Sequence, residues 1–117
     1  MTDLNHAVNA TLLADANQAS VSAMLNAILE KPLTPMEASQ AKSYMEQVAT
    51  QAATDEGAEV TLFQLVEMKN QYTTYVMRVA LFSNNKAIGL DVMDAENGQF
   101  FVPESCPVVE LESATLN

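Results

Sequence analysis

The side chains in this chain best placed to do chemistry are carboxylates. The stretch Leu90–Phe101, LDVMDAENGQFF, sets Asp91, Asp94, Glu96 and an Asn97-Gly98 pair between two apolar runs. Acids at this spacing invite two readings: an oxygen-ligand cation loop, or outward side chains around a hairpin turn. A calcium loop needs oxygen ligands at alternating positions and glycine at the sixth. Counted from Asp94, the sixth residue is Gln99 and the twelfth is Ser105; counted from Asp91, the third is Met93 and the fifth is Ala95. Neither register supplies the ligands, so no metal is expected. Asn-Gly between apolar runs is a strong hairpin signal, because a type I′ turn needs positive φ at both centres. Residues 84–103 are therefore read as a hairpin.

Nucleophilic catalysis with serine or cysteine needs an imidazole beside the nucleophile. His6 is the only histidine and lies near the N-terminus, with nothing to bring it to Cys106 or a serine. One cysteine and one histidine cannot complete a zinc site of three or four soft ligands. Cys106, bracketed by Pro103 and Pro107, has no local cation to lower its pKa. Gly57, Gly89 and Gly98 stand alone, so no phosphate loop exists. The pairs Asp94/Glu96 and Glu110/Glu112 lie two apart. They could do acid–base work only in a cleft that raises one pKa. The expectation is no enzyme and no cofactor.

Charge is the other unusual property: 15 acids against 5 bases, net −10. From Ala87 to Asn117 there are six acids, Asp91, Asp94, Glu96, Glu104, Glu110 and Glu112, and no Lys or Arg. Nucleic-acid binding needs clustered cations to displace counterions. Lys31, Lys42, Lys69, Arg78 and Lys86 are scattered, so direct binding to nucleic acid or to an anionic membrane is not expected. A one-sign acidic face would steer a basic protein partner. The six acids are the candidate partner-binding residues. Methionine is also frequent, at Met24, Met36, Met45, Met68, Met77 and Met93. Core filling accounts for it more simply than a promiscuous surface does.

The elements that must position these residues follow from periodicity. Leu4, Val8 and Leu12, then Val21, Leu25, Ile28 and Leu29, keep a helical spacing over residues 2–31, with Ser20 suited to cap a second piece. Thr34, Pro35 and Glu37 read as N-cap, first position and third position of the next helix. Its face would be Ala41, Tyr44, Met45, Val48 and Ala52, and Gly57 would end it. After Gly57 the period becomes two. EVTLFQLVEM is apolar on both alternations, YTTYVMRVALF puts Tyr75, Met77, Val79 and Leu81 on one face, and KAIGLDVM puts Ile88, Leu90 and Val92 inward with Asp91 outward. Asn84 and Asn85 suit the turn between the last two. Phe100 and Val102 lie on a returning strand, and a short final strand alternates Val109 and Leu111 with Glu110 and Glu112.

These elements predict a single α+β domain over residues 1–117, helical over about 2–56 and β over about 59–112. Two or three N-terminal helices should pack on one face of a four- to five-stranded antiparallel β-meander. The chain shows no run of 18 apolar residues, no basic leader and a single cysteine. A cytoplasmic setting is expected, the host cytoplasm if the protein is viral. The functional expectation is a small acidic protein-binding module, such as a phage- or mobile-element-type inhibitor occupying a basic, nucleic-acid-binding surface of a larger protein. The alternative is a structural subunit of a homo-oligomer or virion, or an immunity- or chaperone-type protein.

Overall fold

The computed structural model describes residues 17–69 and 71–112. They form helix α1 (Gln18–Glu30), strand β1 (Leu33–Met36), helix α2 (Ala38–Asp55) and strands β2 (Val60–Lys69), β3 (Thr74–Phe82), β4 (Lys86–Asp94), β5 (Phe100–Pro103) and β6 (Val108–Glu110). The class is α+β with an antiparallel sheet, and the described residues hold two helices and six strands rather than four or five. The sheet order is β1-β5-β4-β3-β2, with β6 paired to β4 beside β5. No helix among the described residues is long and apolar enough to cross a membrane.

The expected capping box is not formed. Thr34 and Pro35 lie in β1, in register with Val102 and Phe101 of β5, and α2 starts at Ala38 with Glu37 as its N-cap. Proline is acceptable there because β1 is an edge strand, where a missing N–H costs no interior ladder bond. Long-range pairing thus outweighed a local helix-start signal. The C-terminus of α2 follows expectation. Gly57 adopts φ +68, its N–H reaches Thr54 O at 3.0 Å, and Ala58 N–H reaches Ala53 O at 2.8 Å. That double bond pattern is a Schellman motif.

α1 begins at Gln18 with Asn17 as its N-cap, and Ser20 lies inside it rather than capping it. The first turn carries no acid of its own. Glu112 supplies one from the far end of the chain: its Oε1 accepts the Ser20 N–H at 3.0 Å, while Ser20 Oγ donates to Glu110 O at 2.8 Å. A carboxylate at the positive end of a helix is favourable, so the last strand is fastened to the start of α1. The Leu4, Val8 and Leu12 stripe lies outside the described residues.

The helices pack on opposite faces of the sheet, not on one. Val21, Met24 and Ile28 of α1 join Met77, Val79 and Leu81 of β3. Met45, Ala49 and Ala53 of α2 join Ala80 and Phe82, the alternate residues of the same strand. Tyr44 and Leu29, expected on core faces, are exposed. Met24, Met45 and Met77 are buried, in keeping with core filling.

β4 shows the consequence most clearly, since every residue from Ala87 to Val92 is buried. Register with β3 shifts between Arg78↔Asp91 and Val79↔Gly89, which makes Leu90 the extra residue of a bulge. Gly89 faces α1 at the closest approach: a Cβ there would lie 3.0 Å from Ile28 Cδ1 and 3.3 Å from Met24 Cβ. Gly89→Ala should therefore cost about 1–2 kcal/mol by overpacking. Urea denaturation checks this, and an unchanged midpoint would mean that α1 sits further from β4.

Candidate functional site

The six acids are not brought together on one face. Asp91, expected to point outward, is 1% exposed. Its Oδ1 accepts Arg78 Nε at 2.8 Å and its Oδ2 accepts Arg78 Nη2 at 2.5 Å. The guanidinium also lies over the Phe100 ring, 4.4 Å from its centroid. The physical reason is the bulge. Unbroken alternation would send Asp91 to the face of Ala87 and Gly89, into the apolar cluster beneath α1. The extra Leu90 turns it to the α2 face, beside Arg78. A buried carboxylate requires such a partner, and Arg78, one of the five cations that look scattered in the sequence, supplies it.

Asp94 and Glu96 build the β4–β5 connection. Asp94 Oδ1 accepts the Glu96 N–H at 2.9 Å, Asp94 N–H donates to Gln99 O at 2.9 Å, and Gly98 N–H donates to Asp94 O at 2.8 Å. The hairpin is present, with Val92↔Phe101 and Met93↔Phe100 in register. Its turn differs from expectation. Only Gly98 of the pair is left-handed, at φ +73, and the connection is the five residues 95–99 rather than a two-residue type I′ turn. At the β3–β4 turn, Asn85 does adopt φ 64.

Glu104 is exposed in the excursion between Pro103 and Pro107, where the chain leaves β5 before rejoining β4 as β6. Glu110 pairs in register with Lys86, and Glu112 caps α1. β4 runs from Lys86 to Asp94, about 26 Å at the usual strand rise. Two acidic groups result, Asp94 and Glu96 at one end of β4 and Glu110 and Glu112 at the other.

Two further cations are paired with acids of the same chain at the surface. Lys86 Nζ lies 2.7 Å from Glu56 Oε1, and Lys69 Nζ lies 3.6 Å from Glu67 Oε1. The Lys86 hydrogen bond and charge lower the pKa of Glu56, and the Glu56 carboxylate raises that of Lys86 in return.

Cys106 sits on the α2 face, with Sγ 3.5 Å from Leu90 O. Burial, and then the Asp91 charge, push its thiol up to about 11. It therefore stays protonated at neutral pH and is a poor nucleophile. A shallow groove of about 260 Å³ beside it is lined by Val48, Ala52, Asp55, Ile88 and Val108 among others. Among the described residues no three His, Cys, Asp or Glu side chains are grouped to hold a metal, and His6 lies outside them.

One part of the surface was only half legible. α2 covers Ala80, Phe82, Ile88 and Leu90. The rest of that face leaves Phe63 42% and Leu65 65% exposed on β2. The signal was the apolar character of both alternations of β2, which resembles a two-sided core strand.

Asp91→Ala would leave the Arg78 guanidinium largely buried without its carboxylate. Denaturation should show a loss of about 3 kcal/mol, mostly restored in the Arg78→Met/Asp91→Leu double variant. If both single and double variants lose equally, the packing around the pair is the stabilising element rather than its charges.

Cys106 gives a pH dependence. Its pKa is raised from 9.0 to about 11 in the folded state, so the unfolded chain ionises first. The thiol's contribution to stability is complete below pH 9.0 and is lost as pH rises towards about 11. Wild type minus Cys106→Ala should decline over that window, and a flat difference would place the thiol in a more solvated setting.

Compared with known proteins, the chain matches no family model, no curated protein and no solved structure.

Proposed function

We propose that this protein is a small acidic, non-enzymatic protein-binding module whose negative surface meets a basic surface of a larger protein, such as one that binds nucleic acid. One observation carries the reading: three of the five cations, Lys69, Arg78 and Lys86, are paired with acids of the same chain. The net charge of −10 is therefore expressed outward with little local compensation. Glu96, Glu104 and Glu110 are exposed, and Asp94 is partly so. Such a field raises the association rate with a basic partner and loses this effect in salt.

The contact residues of this reading are Asp94, Glu96, Glu104 and Glu110. Asp91 and Glu112 serve it only indirectly, the first through the Arg78 pair and the second through α1. Asp94→Asn keeps the Oδ1 acceptor that the loop uses, so charge can be removed there without removing the turn.

The test uses Asp94→Asn/Glu96→Gln/Glu104→Gln against wild type. Wild-type protein on a matrix should retain a basic host protein at low salt, release it at higher salt, and lose it to competing duplex DNA. The triple variant should associate with that protein several-fold more slowly, with an unchanged dissociation rate. Equal association rates at low salt would reduce the acidity to a matter of solubility and remove this reading.

A further inference from the structure

The two edges of the sheet differ in a way that points to a partner for one of them. β1 is four residues long and contains Pro35, two devices that prevent an edge from accepting another strand. β2, at the opposite edge, is ten residues long, and among the described residues no strand pairs with its outer side. Its central run, Leu62-Phe63-Gln64-Leu65-Val66, holds no charge, no proline and no glycine. A long apolar edge of this kind either aggregates or has a specific strand to receive.

The run itself selects the strand. It is an apolar palindrome centred on Gln64. Laid antiparallel against a second copy about a two-fold axis at Gln64, it sets Leu62 opposite Val66 on one face and Phe63 opposite Leu65 on the other. The strand ends bring Lys69 of one copy towards Glu59 of the other. Directly opposed residues lie about 5 Å apart at Cβ, so the two Gln64 residues stand opposite each other on the axis.

Gln64 supplies an independent reason. It is 5% exposed, and neither its Nε2 nor its Oε1 has a hydrogen-bond partner. An unsatisfied buried carboxamide is costly. Both amide atoms are closed off within one copy, so the side chain must turn towards the β2 edge; there, two carboxamides facing across a two-fold axis would satisfy each other, each donating one N–H to the other's oxygen. Sliding the register by one pair would set Gln64 against Val66 and Phe63 against Glu67, which loses both matches.

We propose that β2 pairs antiparallel with β2 of a second copy of this chain, through Leu62–Val66 and centred on Gln64, joining the two sheets into one. The proposal does not depend on the acidic-surface reading, and salt separates the two. Copies of charge −10 repel, so screening strengthens self-pairing while it weakens contact with a basic partner.

The full chain should sediment at twice its 12.7 kDa in the range of about 10–500 µM. Its dimer should tighten as salt rises from about 0.05 M to about 0.5 M. Amide exchange in residues 60–69 should slow as protein concentration rises, with β1 unaffected. Leu65→Lys replaces a residue that is already exposed, so the monomer should keep its circular dichroism and melting behaviour. Its dimer should be weaker by about tenfold or more. A chain that stays at 12.7 kDa throughout, or a dimer that Leu65→Lys leaves intact without protecting the β2 amides, would overturn the proposal.

Discussion

The burial of β4 on both faces is the constraint from which most of this structure follows. Its residues from Ala87 to Val92 are all withdrawn from water, which one helix on one face could not achieve. α1 must therefore lie on the Gly89 side and α2 on the Ile88 and Leu90 side. Both remaining lateral positions are filled as well. β3 occupies one edge of β4, while β5 and β6 share the other in succession. The absence of a side chain at Gly89 and the bulge at Leu90 are the local adjustments that permit this packing.

A strand buried on both sides has no outward position for a charge, yet β4 contains Asp91. The bulge resolves the conflict by turning the carboxylate to the α2 face, beside Arg78. There Arg78 and Phe100 can reach it. The same face leaves Phe63 and Leu65 partly in solvent, because α2 packs over β3 and β4 and leaves the β2 edge beyond them less covered. One placement, that of α2, thus accounts for both the buried ion pair and the exposed apolar strip next to the β2 edge.

The electrostatics follow a similar logic. With 15 acids and 5 bases, each internal ion pair uses a larger share of the cations than of the anions. Pairing three of the five cations with acids of the same chain therefore leaves the unpaired charge almost wholly negative. That surface would attract a basic partner, and in the proposed dimer its repulsion would have to be outweighed by strand pairing and apolar contact.

What the sequence determined by itself was local: the change from a helical to a two-residue period after Gly57, the left-handed stops at Gly57, Asn85 and Gly98, and the departure of the chain between Pro103 and Pro107. Those features rest on φ preferences and on neighbours a few residues away, which are present in any stretch of chain. Tertiary structure decided the rest. Thr34, Pro35 and Glu37 have the chemistry of a helix start, but strand β5, some seventy residues later, claimed Thr34 and Pro35 as part of an edge strand. Asp91 reads as outward under strict alternation, and a single extra residue reversed its face and buried it against Arg78. The six C-terminal acids read as one patch because they are close in sequence. An extended β4 instead separates Asp94 and Glu96 from Glu110 and Glu112, since a strand converts sequence distance into length while antiparallel pairing chooses which ends meet.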